Sequence, residues 1–258
     1  MKYHIDTIPV WDAIKTDSEC PLCALRRKTE RLLVERSLGA SVMSPDTRSK
    51  VNKHGFCGSH HAMMYSYPGG NRLGHGLMML SRLQTLRPHL NQGMAASHQF
   101  KKSGGRTFSQ LLKNKSNKEN EGLLNGVNGL TESCLICDEL AEQSRRQAAS
   151  LLHLWKTDPS FQKAFLQSKG LCVPHTASTI NMASELLTGE HLSGFSSAAR
   201  SLLETSLKRL EEELDWFTRK FDYRNAEEPW GTSKDALERT VNKLRGWCLG
   251  SEPMQDET

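Results

Sequence analysis

The sequence predicts an all-α protein, a helical bundle built from two related modules and completed by a long C-terminal helix. Apolar residues recur at steps of three and four positions, most regularly between residues 191 and 222, which is the period of an amphipathic helix. Helix starts such as Ser44-Pro45 and Asp158-Pro159 are each followed about ten residues later by a glycine that can end the helix. A pattern of cysteine and histidine occurs twice with nearly equal spacing, which indicates that the two halves are related.

Each half is expected to repeat the same order of elements. A helix starts at a cysteine pair, a short helix ends at a glycine, and a third helix starts at a Cys and His pair. The N-terminal sixteen residues are expected to form an extended arm that turns helical near Trp11. Helices are predicted at residues 18–39, 45–55, 57–67 and 72–87 in the first half, and at residues 131–157, 158–170, 172–187, 191–222 and 232–244 in the second.

The repeated pattern contains six of the seven cysteines. Each copy has a Cys-x₂-Cys pair followed by a Cys-x₂-His pair, and 33 residues separate the pairs in the first copy and 34 in the second. A glycine and an apolar residue precede each Cys-x₂-His pair. The first copy reads Cys20-Pro-Leu-Cys23 and Gly55-Phe-Cys57-Gly-Ser-His60, and the second reads Cys134-Leu-Ile-Cys137 and Gly170-Leu-Cys172-Val-Pro-His175.

Three thiolates and one imidazole are a donor set that Zn²⁺ favours in a closed tetrahedral site. Donors three residues apart in a first helical turn point the same way, so each pair can present two donors to one ion. The helix N-termini would also stabilise the thiolates. We therefore predict two Zn²⁺ ions per chain, one in each copy of the pattern. The predicted ligands are Cys20, Cys23, Cys57 and His60 for the first ion, and Cys134, Cys137, Cys172 and His175 for the second.

The repeat also selects among the neighbouring histidines. The position of His61 is occupied by Thr176 in the second copy, and that of His54 by Lys169. Only His60 has a matching histidine, which is His175.

Other interpretations of the cysteines are ordinary buried thiols, disulfides or an iron–sulfur cluster. The segment from Met1 to Val10 has no apolar stretch typical of a signal peptide, so we expect a cytoplasmic protein with few disulfides. Iron–sulfur clusters usually have four thiolate ligands, so one histidine per site favours zinc over iron.

The amino-acid composition along the chain predicts a linker and the domain boundaries. Residues 97–130 are rich in Asn, Gly, Ser and Lys, and are predicted to be a flexible basic linker. Between Ser97 and Glu121 there are six basic and two acidic residues, which accounts for +4 of the net charge of +5. The predicted domains are an N-terminal arm with the first zinc module at 1–96, the linker at 97–130, the second module with the long helix and the C-terminal helix at 131–249, and a disordered tail at 250–258.

Several segments resemble an uncharacterised bacterial family, common in Firmicutes, that is known only as a family of unknown function. The resemblance covers most of the chain apart from the linker. It implies a bacterial cytosolic origin and supplies no activity. The segments that carry it are His4-Ile-Asp-Thr-Ile-Pro-Val-Trp-Asp12, Cys20-Pro-Leu-Cys23, Met43-Ser-Pro-Asp-Thr-Arg48, Gly55-Phe-Cys57, Asn71-Arg-Leu-Gly74 and Phe221-Asp-Tyr-Arg224.

Three classes of function remain open. Four protein ligands per ion leave no position for a substrate, which favours a scaffold that binds a protein partner or a second copy of the chain. The basic linker and the tandem zinc sites suggest a nucleic-acid-binding regulator, although no recognition helix is evident. Reactive thiolates suggest a redox or metal sensor. No catalytic motif and no membrane segment is evident. An enzyme would have to use groups in a cleft between the modules, and the candidates are His4, Asp6, Asp12, Arg224 and Trp230. The segment at residues 222–230 is expected to form either a polar pocket or a structural corner.

Overall fold

The computed structural model describes residues 5–98 and 133–246, and these residues contain ten α-helices and no strand. The predicted all-α class is confirmed. The helices are α1 (Ile8–Lys15), α2 (Pro21–Leu38), α3 (Pro45–His54), α4 (Gly58–Ser66), α5 (Arg72–His98), α6 (Leu135–Thr157), α7 (Pro159–Gln167), α8 (Val173–Leu186), α9 (Gly189–Arg219) and α10 (Ala236–Arg245), with short 3₁₀ turns at Ile5–Thr7, Ala40–Met43 and Tyr223–Asn225.

The chain forms two compact units that differ from the predicted modules. The first unit comprises Met1–Thr29 and Glu142–Thr258, and the second comprises Glu30–Ala141. The unit boundaries thus fall inside α2 and α6, and not in the segment predicted to be a linker. Most of that linker and the whole predicted tail lie outside the described residues.

Aromatic side chains fill the core of the first unit. The rings of Trp155, Phe165 and Phe195 lie 5.6–5.7 Å apart between centroids, in edge-to-face or tilted contacts. Trp11 of α1 packs edge-to-face on Phe161 at 5.2 Å, so the N-terminal segment belongs to this core. The segment is helical from its 3₁₀ turn onwards, which corrects the predicted extended arm. A proline is tolerated here because it occupies the first turn of α1, where the amide has no helical acceptor.

The core of the second unit is aliphatic and rich in methionine. Helices α2, α3, α4, α5 and α6 each contribute a buried residue: Val34, Val51, Met64, Met78 and Ile136. The two methionines are at most 2% exposed, so they fill space in this core.

Helix α5 is longer than predicted. The sequence predicts a helix over residues 72–87, but the helix continues through Pro88 to His98. A proline within a helix removes one hydrogen bond without necessarily ending it. The residues that follow include the good helix formers Leu90, Gln92 and Met94.

The segment after α9 forms a structural corner, the second of the two alternatives predicted for it. The ammonium group of Lys220 donates hydrogen bonds to three carbonyl oxygens of this segment. The ring of Trp230 packs on Phe217 at 5.8 Å. Arg224 forms an ion pair with Asp222, and its side chain is largely exposed.

None of the helices in the described residues combines the length and apolar character needed to cross a membrane.

Candidate metal centres

The two Cys-x₂-His pairs lie at helix N-termini in the same local geometry. Cys57 and Cys172 are the N-cap residues of α4 and α8, with extended backbone angles. His60 and His175 therefore occupy the third position of each helix. Both donors of each pair thus lie on one side of a first helical turn.

The two Cys-x₂-Cys pairs have the same arrangement at the start of α2 and α6. Cys20 and Cys134 directly precede these helices, and their carbonyl oxygens accept hydrogen bonds from the amides four residues later, at 3.1 and 3.0 Å. Cys23 and Cys137 are the third residues of the helices. All eight predicted ligands therefore lie at four helix N-termini, where amide groups and the helix dipole stabilise thiolates.

The structure brings these four pairs together as two clusters. Within each cluster the donor atoms all lie within 4.8 Å of one another. Cluster 1 is Cys20, Cys23, Cys172 and His175, and cluster 2 is Cys57, His60, Cys134 and Cys137.

The predicted assignment of ligands to ions is therefore wrong, although the predicted residues are the ones that cluster. Each cluster joins the Cys-x₂-Cys pair of one copy to the Cys-x₂-His pair of the other. The spacing within the pairs fits either assignment, so the repeat alone does not show which Cys-x₂-Cys pair shares an ion with which Cys-x₂-His pair. The structure shows the difference along α2, whose first turn carries Cys23. The residue of α2 that contacts His60 is Glu30, about two turns later, so His60 does not lie beside Cys20 and Cys23.

The distances in both clusters suit a single tetrahedral ion. Ideal bonds of about 2.3 Å to sulfur and 2.0–2.1 Å to nitrogen place neighbouring donors about 3.5–3.8 Å apart. In cluster 1, the Sγ atoms of Cys23 and Cys172 are 3.6 Å apart, and His175 Nδ1 lies 3.2–3.4 Å from the three sulfurs.

Cluster 2 has nearly the same dimensions. The Sγ atoms of Cys57 and Cys137 are 3.8 Å apart, and His60 Nδ1 lies 3.2–3.4 Å from the three sulfurs. Both histidines thus present the same ring nitrogen to the sulfurs.

The electrostatics of the clusters favour a bound cation. Burial by itself would lower the pKa of His175, but the sulfurs of Cys172 and Cys20 raise it to about 10. Burial and the hydrogen bonds to the neighbouring thiols raise the pKa of Cys137 to about 12. Each cluster therefore retains protons that a metal ion would replace.

The two clusters are braced at equivalent positions by different groups. In the second unit, Ser133 Oγ donates a 2.7 Å hydrogen bond to His54 O, so the residue before the Cys-x₂-Cys pair is joined to the one before Gly55. In the first unit, the equivalent residues are Glu19 and Lys169. The ammonium group of Lys243 donates to both of their carbonyl oxygens, at 2.8 and 2.6 Å.

The buried charge of Lys243 is balanced in the first unit. The side chain is fully buried, and burial lowers its pKa, while the charges of Glu19 and Cys20 act in the opposite direction. The Glu19 carboxylate is 1% exposed and accepts two hydrogen bonds from Arg209 at 2.7 and 2.8 Å. Helices α9 and α10 thereby hold the segment that leads into cluster 1.

Two glycines shape the approach to the Cys-x₂-His pairs. Gly55 and Gly170 have φ angles of 65° and 73°, in the left-handed region that other residues adopt with strain. A Cβ atom at Gly55 would lie 2.4 Å from the guanidinium carbon of Arg82, and one at Gly170 would lie 2.8 Å from Leu202 Cβ.

Glu30 orients the imidazole of cluster 2. Its Oε1 lies 3.0 Å from His60 Nε2, while Nδ1 of the same ring faces the sulfurs. A carboxylate that accepts the second ring proton fixes the orientation of a metal-binding histidine and raises its basicity. Sequence reasoning missed Glu30 and Lys243 because neither is part of the repeated pattern.

The other histidines and acids considered from the sequence do not join the clusters. His61 Nδ1 lies 2.9 Å from His75 Nε2, and the two rings stack. Asp6 and Asp12 are exposed on the N-terminal segment, and His4 lies outside the described residues.

The fold and the clusters define an all-α protein with two Cys₃His sets suited to metal ions. Residues 1–251 match the family described as a family of unknown function (DUF6062), and the chain belongs to that family. No curated protein and no solved structure matches the chain.

The crossed pairing can be tested by counting metal ions in double variants. Cys20→Ser with Cys172→Ser removes two ligands of cluster 1, so we expect about one metal ion per chain to remain. Cys20→Ser with Cys57→Ser damages both clusters, so we expect almost none. Elemental analysis of purified variants measures this directly, and the reverse order of the two values would contradict the crossed pairing.

The role of Glu30 can be tested at cluster 2. We expect Glu30→Ala to weaken metal binding there by about 10- to 100-fold, since the imidazole loses its orienting carboxylate. The measurement is competition with a chelator, and the control is Glu35→Ala at an exposed position of the same helix. Equal affinities in the two variants would show that Glu30 does not support the site.

Proposed function

We propose that this protein is a structural zinc protein that holds two Zn²⁺ ions and uses its helices to bind another protein. The observation that carries the proposal is the donor set, in which three sulfurs and one imidazole nitrogen lie within 4.8 Å of one another in each cluster. Thiolate and imidazole donors in a tetrahedron favour Zn²⁺ over hard cations. A set of donors this compact encloses one ion and leaves little room for an iron–sulfur cluster.

A structural role for the metal follows from the number of ligands. Catalytic zinc sites have three protein ligands and an open position, whereas each cluster supplies four. The ligands come from distant parts of the chain, since Cys20 and His175 are 155 positions apart. An ion held by such ligands stabilises the folded state because the unfolded chain has no preformed site.

An exposed apolar face supports a role in protein binding. Leu73, Leu77, Leu80 and Leu83 recur at three- and four-residue steps along α5, and their exposed fractions are 75, 37, 51 and 64%. Side chains with this spacing lie on one face of a helix. A row of exposed leucines is unusual for a surface that faces only water and is typical of an interaction site.

The structural role predicts that metal removal unfolds the protein. The metal-loaded protein should contain about two Zn²⁺ ions per chain, and a strong chelator should reduce its helical circular dichroism and abolish a cooperative thermal transition. Readdition of Zn²⁺ should restore both. Retention of the full helical signal after both ions have been removed would contradict a structural role.

A redox-sensing role is a second candidate, favoured by the different exposure of the clusters. Cys137 is exposed and Cys57 is partly exposed, whereas the three cysteines of cluster 1 are at most 4% exposed. The thiolates of Cys57 and Cys137 could give two electrons to hydrogen peroxide. An S–S bond would form, the O–O bond would break, and two protons from solvent would complete two water molecules. The ion would keep only Cys134 and His60 as ligands and would dissociate.

This candidate predicts that peroxide releases zinc from cluster 2 first. Two double variants each retain one cluster: Cys20→Ser with Cys172→Ser keeps cluster 2, and Cys57→Ser with Cys134→Ser keeps cluster 1. A colorimetric zinc indicator should report much faster release from the first variant under mild peroxide. Equal rates would argue against a sensor at cluster 2.

A further inference from the structure

The leucine row on α5 lies in a basic part of the chain. The row consists of the exposed residues Leu73, Leu77, Leu80 and Leu83. Residues 39–98 contain six arginine and lysine residues and one acidic residue, Asp46. Helix α5 itself has no acidic residue, and its exposed Arg87 lies two turns after Leu80 on the same face. A surface that is both apolar and basic is complementary to one that is both apolar and acidic.

Two aromatic side chains are exposed at the corner after α9. Phe221 is 76% exposed and Tyr223 is 86% exposed. The Phe221 ring contacts Phe217 and Trp230, at 5.4 and 6.5 Å between centroids, so its position is fixed although most of it faces solvent. Aromatic rings held in this way are suited to binding a protein, because little side-chain entropy is lost when a partner covers them.

The same corner is acidic. Residues 211–230 contain seven acidic and three basic residues. The three basic side chains are engaged within this stretch, since two pair with its carboxylates and one donates to its backbone carbonyl oxygens. The exposed acidic residues outside these ion pairs are Glu211, Glu212, Glu227 and Glu228. The corner is therefore apolar and acidic, where the leucine row is apolar and basic.

We propose that the leucine row of one copy of this chain binds the acidic aromatic corner, residues 211–230, of a second copy. This inference rests on the protein-binding role proposed above for the leucine row and names its partner. Two leucine rows in contact would place the basic residues of both copies side by side, so charge disfavours a contact between like surfaces. A contact between two different surfaces leaves one of each free on a dimer, so further copies can add.

Sedimentation equilibrium of the full-length, metal-loaded protein tests whether a second copy is the partner. The chain mass is 29.0 kDa, and we expect the average mass to rise above this value as the concentration approaches about 100 μM, a range that detects micromolar affinities. Added salt should weaken the association, because part of the attraction is between exposed charges. A protein that remains monomeric would overturn this inference but not the structural role of zinc, which metal removal tests separately.

Two double variants separate the two surfaces. Leu73→Gln with Leu80→Gln damages the leucine row, and Phe221→Ser with Tyr223→Ser damages the corner. The four side chains are each more than half exposed, so both variants should keep the helical circular dichroism of the unchanged protein. Each variant alone should be monomeric. An equimolar mixture should form a dimer of twice the chain mass, because each variant retains the surface that the other lacks.

Leu166→Gln is the matched control for the row variant. Leu166 of α7 is 51% exposed, as is Leu80, and it belongs to neither surface. This control should associate as the unchanged protein does, and loss of association in it would overturn the assignment to the leucine row. Self-association of the corner variant alone would indicate a contact between two leucine rows and would overturn the proposal. Absence of a dimer in the mixture would overturn it as well.

Discussion

The convergence of three sulfurs and one imidazole at helix N-termini is the constraint on which both units depend. Each cluster brings three thiol groups and one imidazole close together. Ionised thiolates at this distance repel one another, and without a cation some of the groups remain protonated. The raised pKa values of His175 and Cys137 express this conflict, and a divalent cation resolves it. Because the donors belong to distant segments, an ion that neutralised the thiolates would also hold those segments together. We therefore propose that metal binding and folding are coupled.

In the two clusters, different groups join the segments that lead into the Cys-x₂-Cys and Cys-x₂-His pairs. At cluster 2, a serine hydroxyl joins the segments that lead into the two pairs. At cluster 1, the buried ammonium group of Lys243 has that role, and Glu19 and Arg209 balance its charge. A buried lysine requires more surrounding structure than a serine does. The long helix α9 and the short helix α10 supply it through Arg209 and Lys243. The more exposed cluster 2 is correspondingly easier for oxidants to reach. This difference in exposure is the reason why we propose the redox-sensing role, as a second candidate, for cluster 2 and not for cluster 1.

The sequence predicted the helices and the eight clustered residues because local rules determine both. The N-cap and third positions of a helix fix the Cys-x₂-Cys and Cys-x₂-His spacing, and comparison of the two copies selected His60 over His61. The pairing between copies was not predictable, since it depends on where the turns of α2 and α6 pack after the helices have formed. Glu30 and Lys243 were missed for a related reason. They reach the clusters through tertiary packing, and nothing in their sequence neighbourhood marks them.

Crystallography with anomalous scattering at the zinc edge, on protein purified without added metal, would locate the ions directly. We expect two strong peaks per chain. One should lie about 2.3 Å from the sulfurs of Cys20, Cys23 and Cys172, and the other at the same distance from those of Cys57, Cys134 and Cys137. A peak shared by Cys20, Cys23 and Cys57 would restore the pairing within each copy. The absence of any peak, with the cysteines ordered, would contradict the metal-dependent fold itself.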